Sequence, residues 1–346
     1  MNNMGDFQIV TDFGNLYKSY KKSMRGKGKK KGAIKFDAMA LEHICVMKRQ
    51  LIERTYQISP YAEFVVTEPK PRNIKSGSFR DKVLQHCLCD FVLLPKMKDI
   101  FIKDNYAGQI GKGTLFGLDR LSENMQLFYQ EHKCEGYILK CDITKFFYSI
   151  DHDVMKAIIR QYFTDEEIQW LCDLFIDSTD GKGLPLGNQC SQVFALIYLA
   201  RLDIFITEEL GCKYYGRYMD DFYLISEDKE YLKYCLKRIE EYLDTLHLTL
   251  NNKTEIVSIR KGLRFLGFHT YITEDGVVIR RLLTGENKRQ IKKRLRKYAR
   301  LVLDGKMTME SLTEKYESWK NHASHGNCHR LLESMDEFVS QLFNTA

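Results

Sequence analysis

Lys213-Tyr-Tyr-Gly-Arg-Tyr-Met-Asp-Asp-Phe-Tyr-Leu-Ile225 sets aromatic and aliphatic residues on both sides of two adjacent carboxylates. The pattern predicts a hairpin: a strand to Tyr218, an acidic tip at Asp220 and Asp221, and a second strand from Phe222 to Ile225. Neighbouring carboxylates repel, so a pair held at a rigid tip is costly unless a cation sits between them. Such a tip is either a solvated acidic turn or a Mg²⁺ site, since a hard cation takes carboxylate oxygens and keeps places for substrate phosphates. The second reading needs another carboxylate from elsewhere in the chain.

Tyr137-Ile-Leu-Lys-Cys-Asp-Ile143 alternates as a strand, placing Asp142 at its end, with a helix expected from about Ser149. Asp142, then Phe146-Phe147, then Gly183-Leu-Pro-Leu-Gly187, then Tyr-Met-Asp-Asp, then Phe265-Leu-Gly-Phe268 stand in one order along the chain. Together they resemble the palm motifs of reverse transcriptases. That resemblance implies an α+β right-hand polymerase with fingers, an antiparallel palm sheet with helices, and a helical thumb. It places 1–35 as a basic N-terminal arm, 36–135 as fingers and their connection, 136–279 as palm and 280–346 as thumb.

Composition agrees with a folded, nucleic-acid-facing protein. The 346 residues, 44% hydrophobic, can bury a sizeable core in two or three subdomains, and the net charge of +7 favours a polyanionic partner. Ten cysteines lack framework spacing and read as reduced core residues of a cytoplasmic protein. No apolar run is expected to span a membrane, and the N-terminus lacks the shape of a signal peptide.

The run Lys18-Ser-Tyr-Lys-Lys-Ser-Met-Arg-Gly-Lys-Gly-Lys-Lys-Lys31 is either a mobile solvated arm or a salt-sensitive contact to phosphates. Phe36 to Thr55 predicts one helix, with Met39, Leu41, Ile44, Met47 and Leu51 inward. Residues 61–75 predict strand, Pro-punctuated turn, strand. Lys70 and Arg72 are either exposed hairpin charges or a clamp for a triphosphate, which a forked guanidinium suits; the stretch resembles the fingers segment that closes on the incoming nucleotide. Phe79-Arg80-Asp81 opens an apolar helix in which Arg80 pairs with a carboxylate. Residues 104–118 fail the Walker spacing and predict a Gly-rich turn into a helix near Thr114, with Lys112 touching template.

Further roles follow from the resemblance. Phe147 occupies the position of a bulky gate that would crowd a ribose 2′-OH, whereas Phe146 faces the core. Gly183 to Gln192 leads into a long helix from Val193 to about Leu210 that Ser191 could cap, with Pro185 and Gly187 admitting backbone close to a base pair. Many family members have Pro-Gln-Gly where this chain has Pro185-Leu186-Gly187; loss of the amide predicts relaxed fidelity. Leu-Gly-Asn-x-x-Ser-Gln (Leu186 to Gln192), the Lys112-Gly-Thr turn and Ser318-Trp-Lys-Asn-His-Ala-Ser-His-Gly-Asn-Cys-His329 are similar to reverse transcriptases of diversity-generating retroelements.

Asp228 caps an amphipathic helix to Leu248. Lys253 is a loop lysine, or the family lysine beside the leaving pyrophosphate. Leu266 and Gly267 resemble the primer-grip turn. From Arg280 a basic helical thumb is expected, with Lys292 and Arg296 toward a template–primer duplex. His322, His325, Cys328 and His329 read as helix-end packing, not as a zinc site.

The implied reaction is RNA-templated transfer of deoxynucleotides to a primer 3′-OH. Asp142, Asp220 and the Ile143 carbonyl would hold two Mg²⁺ ions, with Mn²⁺ as a possible substitute and Asp221 completing the acidic set. Implied partners are a template RNA, the RNA/DNA primer–template duplex, deoxynucleoside triphosphates and a small basic accessory protein, with no membrane. The chain is expected to end after the thumb, leaving no room for RNase H, endonuclease or integrase. A phage-defence reverse transcriptase and a catalytically silent RNA-binding scaffold are the alternatives.

Overall fold

Alternating apolar residues lay down the strands, and longer periodic runs form the helices around them. The computed structural model describes residues 5–67, 71–179, 181–282 and 284–344. The chain divides into two compact units: Met1–Gly111 with Cys141–Gly211 and Cys235–Thr254, and Lys112–Lys140 with Cys212–Tyr234 and Glu255–Ala346. The fold class is α+β, as expected.

In the first unit, β1 (Ala62–Val66) and β2 (Arg72–Ser76) form an antiparallel hairpin in which Val66 faces Arg72. Lys70 lies outside the described residues. The helix Phe13–Met24 packs on the helix Phe79–Leu88, which runs through a π-turn into Leu94–Met97. The start of the Phe79–Leu88 helix is a buried ionic knot. Asp81 is fully buried and accepts from Tyr56 Oη (2.7 Å), Ser78 Oγ (2.7 Å) and the Ser59 N–H (3.1 Å). Arg80 stands 3.6 Å from that carboxylate, donates to the Gln57 carbonyl and lies over the Tyr56 ring, as its pairing role requires.

Several local expectations are corrected. The basic N-terminal run is not a mobile arm throughout. Residues Phe13–Met24 are helical and bury Leu16 and Tyr20, leaving the turn before Lys31–Ala38 as the exposed cationic stretch. The Phe36–Thr55 helix is two helices, Lys31–Ala38 and Ala40–Ile52, broken at Met39. Met39 and Leu41 are exposed while Ile44, Met47 and Leu51 are buried. The long apolar helix begins earlier, as Gln189–Tyr198 and Ala200–Ile204 with a π-turn at Phe205–Glu209. Its N-cap is Asn188, and the Gln189 N–H donates to Gln85 Oε1 (2.9 Å); Ser191 lies buried inside the helix and does not cap it. Gln189–Glu209 is also long and apolar enough by length and composition to cross a membrane, contrary to the sequence reading, but 78% of that window is buried within the protein.

The second unit carries two sheets. The larger has strand order β4-β5-β3-β6: β3 (Tyr137–Asp142), β4 (Tyr214–Tyr218), β5 (Asp221–Ser226) and β6 (Glu255–Ser258). The unit boundary falls within β3, after Lys140. The smaller sheet is an antiparallel meander of β7 (Leu263–Phe265), β8 (Phe268–Ile272) and β9 (Val278–Leu282). The helix Thr114–His132 packs on β4 and β8. Arg280, expected in the thumb helix, lies in β9 and donates to the Leu118 carbonyl and Asp119; the helix starts at Thr284. That helix packs on Met309–Ala323 and His329–Asn344 around buried Leu295, Leu312 and Met335.

All ten cysteines are free thiols, and all but Cys45 are buried. Asp81→Ala is expected to cost about 3 kcal/mol or more, since it strips three donors of a buried acceptor. Urea unfolding of the two proteins measures it.

Candidate active site

How two neighbouring acidic residues are presented depends on the turn that carries them. Tyr218 pairs with Asp221, so the loop is the two residues Met219 and Asp220, and Asp221 opens β5 where the sequence placed it at the tip. Met219 takes φ of 56°, the left-handed sense that two-residue hairpin loops need. For a non-glycine residue this costs on the order of 1 kcal/mol. Arg217, fully buried in β4, donates from Nη1 to the Met219 carbonyl (2.9 Å) and so holds the turn in that form. Behind it, Asn124 Nδ2 donates to the Tyr215 carbonyl (3.3 Å) and to Tyr223 Oη (3.1 Å).

Asp221 has a cation beside it. Lys140 Nζ lies 3.7 Å from Asp221 Oδ1 and donates to the Arg264 carbonyl (2.7 Å). Lys140 and Asp142 are two apart on β3 and therefore share a face. That alternation is the sequence signal by which Lys140 could have been found; a charge inside the aromatic run of β4 is the signal for Arg217. Neither is singled out by the sequence motifs. In the same unit β7 and β8 form the expected hairpin, with Leu266 and Gly267 both at positive φ (50° and 87°). His322 is exposed overall, with its ring tilted against Phe268 at 5.1 Å between centroids; partial desolvation there, with the nearby His325, holds its imidazole below the usual range. Cys328 is buried in a small cluster with Leu118, Phe268 and Ala323 and so packs as expected, whereas His322, His325 and His329 are exposed and the packing reading fails for them.

The first unit gathers most of the remaining candidates around a backbone loop. Asp142 ends β3, and its carbonyl accepts the Asn251 N–H (2.7 Å). Thr144 N–H donates to the Thr249 carbonyl, and Ile143 bridges Leu250, which zips 249–251 onto 142–144. Lys253 sits in the exposed loop just beyond, its N–H on Asn251 Oδ1. The helix after Asp142 comes in two pieces, Phe146–Ser149 and His152–Tyr162, earlier than expected. Phe146 is buried and Phe147 half-buried.

Loop 183–187 joins these parts. Leu184 N–H donates to the Phe147 carbonyl (2.7 Å), and the Leu186 carbonyl accepts the Lys75 N–H (2.9 Å) from β2. Gly187, at φ of 118°, lies so close to β2 that a Cβ there would stand 3.0 Å from Ile74 Cγ2 and 3.1 Å from the Lys75 carbonyl oxygen. A cavity of about 180 Å³ opens beside the loop, lined among others by Asn73, Lys75, Tyr148, Lys182 and Leu186. Arg72 is exposed at the start of β2, and Gln192 is exposed on its helix. In the second unit, Lys112 lies 6.0 Å over the Phe116 ring, and Lys292 and Arg296 flank the Phe338 ring at 4.9 and 5.1 Å.

Each unit by itself offers oxygen donors of the kind a hard cation takes: Asp142 with the Ile143 carbonyl in the first, and Asp220 with Asp221 in the second, where Lys140 stands against Asp221. Among the described residues no three His, Cys, Asp or Glu side chains form one metal-binding group. The Asp220–Asp221 corner belongs to the second unit and Asp142 to the first.

A sequence model of the reverse transcriptase (RNA-dependent DNA polymerase) family matches residues 72–270. No curated protein matches the chain. Among solved structures, apo telomerase from Candida tropicalis truncated from its C-terminal domain aligns at 15% identity, covering 64% of this chain and 57% of that one, with TM-score 0.47. Telomerase from Candida albicans in complex with a TWJ fragment of telomeric RNA aligns at 13% identity over 84% and 55%, with TM-score 0.49. The chain thus spans little more than half the length of these telomerase chains.

Gly187→Ala is expected to destabilise the first unit by at least about 1 kcal/mol, because alanine disfavours positive φ and its methyl meets β2. A shift of the denaturant midpoint measures it.

Proposed function

The chain belongs to the reverse transcriptase family, and from that premise we propose that it is an RNA-directed DNA polymerase. The observation that carries this is the family match over residues 72–270, which takes in β2, Asp142, loop 183–187, the Tyr218–Asp221 turn and Lys253. Asp142 and Asp220, with the Ile143 carbonyl, would hold two Mg²⁺ ions, and Asp221 would complete the acidic set. Mg²⁺ takes one or two carboxylates along with waters and substrate phosphates, so a nucleotide would complete each ion's ligands. The bound ions would supply a more acidic primer 3′-hydroxyl and charge stabilisation for the leaving pyrophosphate.

The remaining work falls to the chain's own groups, because phosphoryl transfer depends mainly on positioning and electrostatics. Lys70 and Arg72 hold the triphosphate, and Lys253 neutralises charge as pyrophosphate leaves. Phe147 excludes a 2′-hydroxyl by bulk. Gly187 and Gln192 border the nascent base pair, and Leu266 with Gly267 supports the primer backbone. Lys112, Lys292 and Arg296 contact template and duplex. The cationic turn between Met24 and Lys31 contacts phosphates of the RNA.

The finer assignment we infer is a diversity-generating retroelement, with a dedicated template RNA and a small basic accessory protein. Leu186 supports it: its side chain lines the loop cavity, where an apolar group cannot fix base geometry through hydrogen bonds. A defence role rests on the same palm motifs and would show as a lone noncoding RNA or a toxin gene next to this one, with cDNA made from a dedicated noncoding RNA.

Asp220→Ala and Asp142→Ala are each expected to lower deoxynucleotide incorporation by about 10³-fold or more while leaving RNA binding nearly intact. Equal loss of both properties would mean that these residues serve the fold instead. Phe147→Ala should raise ribonucleotide use relative to deoxynucleotide by about 10- to 100-fold in single-turnover extension. Leu186→Gln should make fewer errors than wild type in sequenced primer-extension products.

A further inference from the structure

Lys140 stands directly against the acidic corner within the second unit, and the polymerase reading gives it no role. Its position is built from three sides. Strand β3 fixes its backbone opposite Glu255 on β6. The Arg264 carbonyl, 2.7 Å from Nζ, accepts a hydrogen bond from the ammonium and directs it. Asp221 Oδ1 then lies 3.7 Å away, with both side chains about a quarter exposed.

We propose that Lys140 is a positioning residue that acts as a resident counter-cation of the acidic corner, holding Asp221 in place and competing with the metal for it. This rests on the polymerase reading above. Asp220 in the hairpin loop and Asp221 at the start of β5 are consecutive carboxylates that repel one another when no ion is bound. An ammonium fixed beside one of them lowers that repulsion and keeps the side chain aimed. The same positive charge opposes a divalent ion arriving at the corner, so metal affinity is set below what the carboxylates alone would give. The second bond, to Arg264, ties this charge to the residue two before Leu266, so the corner and the β7–β8 turn share one anchor.

The test is direct Mn²⁺ binding to the full chain without nucleic acid, followed by electron paramagnetic resonance of the free ion. Lys140→Gln should tighten Mn²⁺ binding by about two- to fivefold, the scale of a partly exposed ion pair. Lys140→Arg, which keeps the charge, should bind as wild type does. If Lys140→Gln fails to fold, Lys140→Met keeps the aliphatic stem and gives the same readout. Unchanged or weaker binding in the neutral variants, with Asp221→Asn still weakening it, overturns the role of Lys140 and leaves the polymerase reading standing. Binding that neither Asp220→Ala nor Asp221→Asn weakens places the ion elsewhere and removes the basis of both. A lysine that served only the fold would change the unfolding midpoint and leave Mn²⁺ affinity alone.

Discussion

Two consecutive carboxylates, one in a two-residue hairpin loop and the next opening the following strand, are a self-repelling arrangement, and the second unit is arranged to hold them there. Met219 must adopt a left-handed backbone, and the buried guanidinium of Arg217 grips its carbonyl. Lys140 sets a positive charge against Asp221. Asn124, from the helix that packs on β4, satisfies polar groups on both strands. The hairpin can present charge at its tip because its body is locked by aromatic residues and hydrogen bonds. Tyr214, Tyr215, Phe222 and Tyr223 are all buried.

The first unit meets a different demand. There the groups near Asp142 are positioned chiefly by main-chain hydrogen bonds. Residues 142–144 pair with 249–251, and loop 183–187 donates to Phe147 and accepts from Lys75. Backbone bonds of this kind place a loop without engaging side chains, which leaves Leu186 and Lys75 available to line the adjoining cavity. Gly187 is needed because the loop passes β2 too closely for a Cβ.

What is legible in the sequence follows from period and from turn chemistry. Alternation marks β3, β4 and β5, and the order of the motifs marks the family. The N-cap at Asp228 is also legible, and its side chain accepts from the Glu230 and Tyr231 N–H groups. The misreadings show what residue type and local period leave open. Ser191 has the residue type of a cap, yet the first helical N–H is met by Gln85, about a hundred residues earlier. Met39 and Leu41 fit a helical stripe, but the chain breaks at Met39 and both are left exposed. The basic N-terminal run is featureless as a string of charges, yet Leu16 and Tyr20 within and beside it are buried.

The sequence by itself determined the chemistry on offer: which carboxylates, which glycines, which aromatic residues, and in what order, because those are properties of residue type and local spacing. Only the tertiary structure decided which charges stand beside the acidic corner. Lys140 and Asp221 are far apart in the chain, and Arg264 is farther still, so their meeting depends on strand order in the sheet. Electrostatic interaction falls with distance in space, and distance along the chain does not reveal it.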